Sequence, residues 1–491
     1  MNPSSCPSPS RRRFLQQSML GAAALGASSL LAPRSWARVP GANNAVRMGV
    51  AGIRGRGHGA IGIFRNLPGV RVTALCDVDS EILDREKAAF TKRGEAVETY
   101  RDIRAMLDSK QVDAIAVAAP NHWHSLMGIW ACQAGKDAYI EKPVSHNVWE
   151  GRQLARAAAK YGRIIQGGTQ FRSDPGVIAA VDFVHAGQLG RVKCARGFAY
   201  FLRESIGKVS GPQQPPATVD YDLWTGPAEL QPLMRASLHK DWHFVWNTGN
   251  GELCNMGVHE MDICRWFLGE DQAPQRIMSL GGRLGFVDDG QTPNSQVVIC
   301  DYAKAPVLFE VRGLPTKTGG KEVDKYRGVD VGVVIECENG YIAWGRGGGA
   351  AYDLKHQRLK EFVGNRGKDH HQNFIDAVRA HNPALLRCPP ERGHVSAAIC
   401  HIGNISHRIG ATVPPAAMHE RIKSQPGVAE AWGRMEEHLA LNHVDLAATP
   451  ATLGPMLNFD SATEQFTGDF AGPANAQLTR HYRAGFEVKP V

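Results

Sequence analysis

Ala45-Val46-Arg47-Met48-Gly49-Val50-Ala51, running straight into Gly52-Ile53-Arg54-Gly55-Arg56-Gly57-His58-Gly59, is the stretch on which the fold turns. A short β-rich run, then glycines, then a segment that reads as a helix through Phe64 predicts a strand, a tight turn and a helix start. In that arrangement backbone N–H groups and the positive end of the helix dipole meet a pyrophosphate, which selects Gly52, Arg54, Gly55, Arg56 and Gly57 as phosphate-side residues. The spelling departs from the ideal. Counted from the strand end, Gly52-x-Arg54-x-x-Gly57 carries Arg where a second glycine is expected, and the perfect G-x-G-x-x-G of Gly57, Gly59 and Gly62 begins five residues late. An ordinary glycine-rich turn is the alternative reading of this segment alone.

Its surroundings favour a nucleotide. Val70–Leu75 (VRVTAL) reads as a second strand and ends in Cys76-Asp77-Val78-Asp79, which puts Asp77 25 residues after Gly52 and 20 after Gly57. That is where a carboxylate meets the ribose hydroxyls of NAD; the acid favours NAD and leaves NADP possible. Val112–Ala119 (VDAIAVAA) and Asp137–Ile140 are further short apolar strands separated by helical stretches, the alternation of a doubly wound parallel sheet. Ligands of such sheets bind beyond the strand C-termini, the places taken here by Pro120-Asn121-His122-Trp123-His124 and Glu141-Lys142-Pro143.

From Glu141-Lys142-Pro143 outward the chain resembles the glucose-fructose oxidoreductase / inositol dehydrogenase (Gfo/Idh/MocA) family. The resemblance takes in residues 120–124 (PNHWH), 167–173 (GGTQFRS), 221–227 (YDLWTGP), 249–262 (GNGELCNMGVHEMD), 370–374 (HHQNF) and 393–396 (GHVS), and so covers roughly residues 44–412. It implies an α/β fold: an N-terminal Rossmann domain over 44–167, then over 168–412 an α+β domain that binds substrate and oligomerises, built on a large open, mostly antiparallel sheet. It also implies hydride transfer between a nicotinamide cofactor and a hydroxyl-bearing carbon of a sugar or cyclitol. By the match Lys142 contacts cofactor and substrate, and His259 is the acid/base. Pro120, Asn121, His124, Glu141 and Gln170 join the cofactor side, Arg172 the substrate side.

Alcohol oxidation needs an acceptor for the hydroxyl proton while carbon delivers hydride, and an imidazole titrating near neutrality suits that task. Lys142 can steady the developing alkoxide. One departure bears on both. Asn255 stands four residues before His259, where the family commonly has Asp; an amide can orient substrate or ring but supplies no negative charge to stabilise an imidazolium. Trp224, Trp242 and Trp246, with His243, cluster ahead of the His259 motif and suit the C–H faces of a sugar, or else simply fill the domain core. No metal is expected: His122 and His124 have no Cys or carboxylate at ligand spacing.

The 491 residues, 43% of them apolar, suffice for two or three domains. Residues 1–37 hold four Arg and no acid, leaving 52 basic against 48 acidic residues beyond them, an excess of only four that calls for no nucleic acid. Ser10-Arg11-Arg12-Arg13-Phe14-Leu15, an apolar run from Met19 to Ala32 and Ser35-Trp36-Ala37 read in order as a twin-arginine export signal with its cleavage site. A twin-arginine translocase would deliver the folded protein to the periplasm or beyond, with no stable membrane anchor. Folded export fits a cofactor loaded beforehand and tightly held. Residues 413–491 carry no motif and read as an extension packed on the body, and an open sheet face suggests a homodimer or homotetramer.

The leading expectation is therefore an exported oxidoreductase acting on a carbohydrate. A glycoside hydrolase or lyase working by transient ring oxidation and elimination is the second, and a non-catalytic carbohydrate-binding relative the third.

Overall fold

The computed structural model describes residues 45–491; the export signal expected over 1–37 lies outside the described residues. Strand β1 (Val46–Ala51) is buried along nearly its whole length, as a strand covered on both faces must be. It is followed by α1 (Arg56–Arg65), β2 (Val70–Cys76), α2 (Ser80–Lys92), β3 (Glu98–Tyr100), β4 (Ala114–Val117), α3 (His124–Gln133), β5 (Asp137–Ile140), α4 (Val148–Tyr161) and β6 (Ile165–Gly167). These six strands form one sheet in the order β3-β2-β1-β4-β5-β6, and every pairing is parallel. The strand order reverses between β1 and β4, which opens a crevice there beyond the strand C-termini.

The chain then turns through α5 (Pro175–His185) into β7 (Val192–Tyr200), and the short α6 (Gly251–Asn255) and α7 (Gly257–Leu268) lead to β8 (Arg276–Gly282). Strands β9 (Ser295–Asp301), β10 (Val307–Arg312), β11 (Val331–Cys337), β12 (Gly340–Gly345), β13 (Gly348–Asp353) and β14 (Arg358–Val363) complete the body of a second sheet of twelve strands. Within it only β7 and β10 run parallel. Helices α5 and α7, joined by α9 (Pro390–Arg408), bury Val181, Met261, Phe267 and Ile399 against β7, β9 and β11 in the largest apolar cluster.

Two features cross the linear division drawn from sequence. Helix α8 (His370–Ala380), within the stretch expected to build the second unit, lays Phe374, Ile375 and Val378 on the first sheet, with Phe374 edge-on to Phe64 at 6.3 Å between centroids. The tail, in turn, is woven through both units. Helix α10 (Pro426–Leu441) buries Val428, Trp432, Met435 and Leu439 against Met278, Val297 and Leu308 on the outer face of the large sheet. The exposed face from which an oligomer was expected is thus covered in part by the chain's own helix. Strands β15 (Ala411–Thr412), β16 (Thr452–Leu453), β17 (Leu457–Asp460) and β18 (Gln465–Thr467) extend the sheet beyond β8. Farther on, Phe486 packs edge-on to Trp123 at 5.6 Å, and Trp149 Nε1 donates to Val488 O at 2.9 Å.

All nine cysteines among the described residues are buried free thiols, and no described helix is long and apolar enough to cross a membrane.

Candidate active site

A cleft of about 490 Å³ opens at the switch point, walled on one side by the first sheet's strand ends and on the other by residues 223–255. Its floor is the glycine turn. Gly52 sits at φ +74°, and a Cβ there would come within 2.5 Å of the Ala119 backbone; at Gly57 it would lie 1.7 Å from Gly52 O. Both positions therefore require glycine: Gly52 for its left-handed backbone and close approach to the β4 loop, Gly57 for the seating of α1 on the turn. Gly59 and Gly62, the later members of the better-spelled motif, lie inside α1 with nothing near their missing Cβ atoms. Helix α1 has no side-chain cap and no acid in its first turn; Gly57 N donates to Arg54 O at 2.9 Å within the turn, and no side chain offsets the positive end of the helix.

Arg54, at the expected second glycine, swings aside to pair with Asp79 (Nη2–Oδ2 3.1 Å). Arg56 reaches across to Glu141 (Nε–Oε1 2.6 Å), joining the start of α1 to the end of β5. Asp77 accepts from Ile53 N at 2.8 Å and from Asp79 N at 3.0 Å; burial nonetheless holds its pKa above the ordinary carboxylate value. These residues fit a dinucleotide: a glycine cradle that a Cβ would fill, a bare helix N-terminus for its phosphates, and a strand-end acid for its ribose. Gln170 adds a buried Oε1 with no partner among the described residues, in a side chain that lines the same cleft.

Lys142, directly after β5, is half-buried and donates from Nζ to Asn255 O at 2.5 Å and to Asn255 Oδ1 at 3.3 Å. Burial pushes its pKa below the ordinary lysine value, against the opposing pull of Glu141 and Glu252. Asn255 ends α6 and donates to Glu252 Oε1 at 3.3 Å. Asn121 donates to Asn250 Oδ1 at 2.6 Å and closes the cleft wall beside Pro120. Trp224 and Trp242 line the opposite side.

Four of the expected assignments need correction. His259 is buried one turn into α7, edge-on to Phe171 at 5.5 Å between centroids, and is absent from the cleft lining. A single residue, Met256, itself in helical conformation, separates α6 from α7, and the two side chains differ in placement: Asn255 lines the cleft and His259 does not. Its Nδ1 has no partner among the described residues, and burial with the charges of Lys142 and Arg56 holds its pKa well below the ordinary histidine value. His124 lines the cleft, but its ring is spent on structure: Nδ1 lies 2.6 Å from Pro143 O and Nε2 2.7 Å from Ala119 O. It clamps the ends of β4 and β5 rather than offering a nitrogen to a nicotinamide. Arg172 is buried in a two-pronged pair with Asp262 (2.7 and 2.9 Å) and lies over Trp266, away from any substrate space. Trp246 faces a different cavity.

His243, met in the sequence only as a member of the aromatic cluster, also lines the cleft. It stacks on Trp242 at 3.6 Å between centroids, and burial first, then Lys142, pushes its pKa down to about 3. Arg101 and His239 also line the cleft from loops with no motif to announce them. His122 sits between two carbonyls, Thr248 O and Trp224 O. Among the described residues no cluster of His, Cys, Asp or Glu has the makings of a metal site.

Residues 46–169 match the family model described as an oxidoreductase family with an NAD-binding Rossmann fold, and residues 189–280 match the corresponding C-terminal alpha/beta domain; both models are those of Gfo/Idh/MocA. A glycosyl hydrolase family 109 protein of Shewanella sp. (strain ANA-3) is 32% identical over 158 residues, 28% of this chain and 35% of that protein. Levoglucosan dehydrogenase of Pseudarthrobacter phenanthrenivorans is 24% identical over 220 residues, 42% of this chain and 49% of that enzyme. The chain thus spans between a third and a half of the length of these relatives. Among solved structures, myo-inositol 2-dehydrogenase from Lactobacillus plantarum shares the fold over 74% of this chain and 98% of its own at TM-score 0.52 and 19% identity. The WlbA dehydrogenase from Bordetella pertussis, in complex with NADH and UDP-GlcNAcA, does so over 72% and 94% at TM-score 0.53 and 17% identity.

Proposed function

We propose that this chain, an oxidoreductase of Gfo/Idh/MocA fold with an NAD-binding Rossmann domain, moves hydride between a tightly held NAD and a hydroxyl-bearing carbon of a sugar, sugar derivative or glycoside. The observation that carries the reading is Lys142 Nζ, held by Asn255 at the mouth of β5 in the same cleft as the glycine turn. NAD, when bound, supplies the hydride acceptor. Gly52, Gly57 and the first turn of α1 would hold its phosphates and Asp77 its ribose, the carboxylate opposing the extra phosphate of NADP.

With two of its directions spent on Asn255, the Lys142 ammonium has a third N–H for the substrate oxygen. Its depressed pKa brings it toward the pH at which a proton is both held and released, so Lys142 itself exchanges the hydroxyl proton. His243, neutral in the cleft wall, is a poor base at neutral pH, and His259 lies behind the wall, where the charge of Asp262 does not offset burial and the charges of Lys142 and Arg56. The acid/base role that the resemblance assigns to His259 thereby passes to Lys142. Trp224 and Trp242 exclude water and offer apolar faces to a ring.

A second reading has its own support in the glycosyl hydrolase family 109 relative: oxidation of a ring hydroxyl, elimination of the glycosidic substituent, addition of water and return of the hydride. Export to the periplasm or beyond by the twin-arginine route, and assembly as a homo-oligomer, belong to the same proposal and rest on sequence reading alone.

The test starts with washed protein, denatured, and its released nucleotide identified by mass. About one NAD per chain is expected; an empty protein would end the retention argument. Lys142→Met should then abolish isotope exchange between labelled sugar alcohols and NAD with the nucleotide still bound, while His259→Asn retains a measurable rate. The reverse pattern would return the role to His259. Release of aglycone with no net NADH would decide for the elimination chemistry.

A further inference from the structure

A second cavity of about 660 Å³ lies behind the cofactor cleft, sharing only Asn250 with its wall and roofed by residues 476–483 of the tail. Two guanidiniums face it without a carboxylate at ion-pair distance among the described residues. Arg408 lies over the Trp246 ring, 5.2 Å from its centroid. Arg480 donates to Asn247 O and Oδ1, each at 2.7 Å, and meets His146 Nδ1 at 3.2 Å. An arginine only donates, so His146 Nδ1 must accept, and the ring proton is therefore on Nε2. That Nε2 belongs to a side chain more than nine-tenths buried and has no hydrogen-bond partner among the described residues. Two cations and a buried ring N–H, which also meets the Gly249 backbone, thus line one cavity, and its one carboxylate, Glu229, is engaged by Gln231 Nε2 at 2.8 Å.

A buried donor without a partner is costly, and exposed Arg408 and half-buried Arg480 beside it are guanidiniums that an anion would complete. We propose that this cavity binds a small molecule through an oxyanion, a carboxylate or a phosphate, held by Arg408, Arg480 and His146 Nε2–H, with room beyond it for a ring-sized body. The cleft's own phosphate-binding turn plays no part in it.

The test uses the full chain with NAD in excess, so that the glycine turn is occupied, and follows binding of inorganic phosphate, D-glucuronate and uncharged D-glucose by calorimetry. Saturable binding of phosphate or of glucuronate is expected, with glucose inert; which anion binds more tightly separates a phosphate source from a sugar acid. Arg408→Gln, at a side chain with no hydrogen bond among the described residues, should weaken that binding at least tenfold. Arg480→Gln should do the same, and if its loss loosens the tail the Arg408 variant still decides. Absence of saturable binding by either anion, equal binding of glucose, or affinity unchanged in Arg408→Gln would each overturn the proposal.

Discussion

At the scale of single residues, the charge around Lys142 is the quantity that sets the chemistry. Asn255 gives it two oxygen contacts and no negative charge. Asn255→Asp would place a carboxylate on both Lys142 and the His259 side of the wall, raising both pKa values. The expected outcome is slower oxidation of a sugar alcohol near neutral pH, where less Lys142 is then free to take the proton, and a shift of the rate's rise to higher pH, read from initial rates between pH 5 and 9. Unchanged profiles would show that Asn255 acts on geometry alone. Lys142 and Asn255 were visible in the sequence because both belong to ordered motifs. Arg172 was misread for a physical reason: its partner Asp262 lies 90 residues away, and only the fold shows that the two are committed to one another. His243 was passed over in the same way, since an imidazole inside an aromatic run reads as packing until the wall it faces is known.

Secondary-structure elements were the most legible level, because the glycine turn dictates its own neighbours. Four of the six parallel strands follow from short apolar runs separated by helical spacing, whereas β3 and β6, three residues each, leave no such run; the switch point follows from the strand order. What spelling concealed was the tolerance of the turn for Arg at position 54, whose carbonyl accepts from Gly57 N at 2.9 Å and whose side chain turns to Asp79. The two positions that cannot change are Gly52 and Gly57. Gly57→Ala puts a Cβ against Gly52 O, so α1 must lift from the turn. The variant should retain less than a tenth of the nucleotide carried by the parent and melt several degrees lower, checked by mass and by thermal unfolding. Retention at parental level would show that the turn is not the phosphate cradle.

For the molecule as a whole, buried histidines govern its response to acid. His122 has its pKa pushed down to about 3, and His371 and His401 to about 4, in each case chiefly by burial. In the unfolded chain all three return to about 6.5. Above that pH neither state binds the protons and nothing is lost; as pH falls from about 6.5 toward 4 the unfolded chain gains protons that the fold refuses, and stability drops by about 1.4 kcal/mol per histidine per pH unit. Denaturant midpoints should fall steadily from pH 7 to pH 4.5, and replacing His401 with Gln should flatten the slope. A midpoint level across that range would contradict the burial of these rings. Much less of this level was readable in advance, since the covering of the large sheet by α10 and the return of α8 to the first sheet are long-range pairings that leave no local mark. The contact of Trp149 with Val488 joins residues 339 apart in the chain. Trp123 and Trp130 are synthesised well before Phe486 and acquire its cover only when that distant residue has arrived. The nucleotide domain is consequently born with bare indoles on its flank, and its folding clock is set by a search over most of the chain's length rather than by the fast local pairing of its own strands.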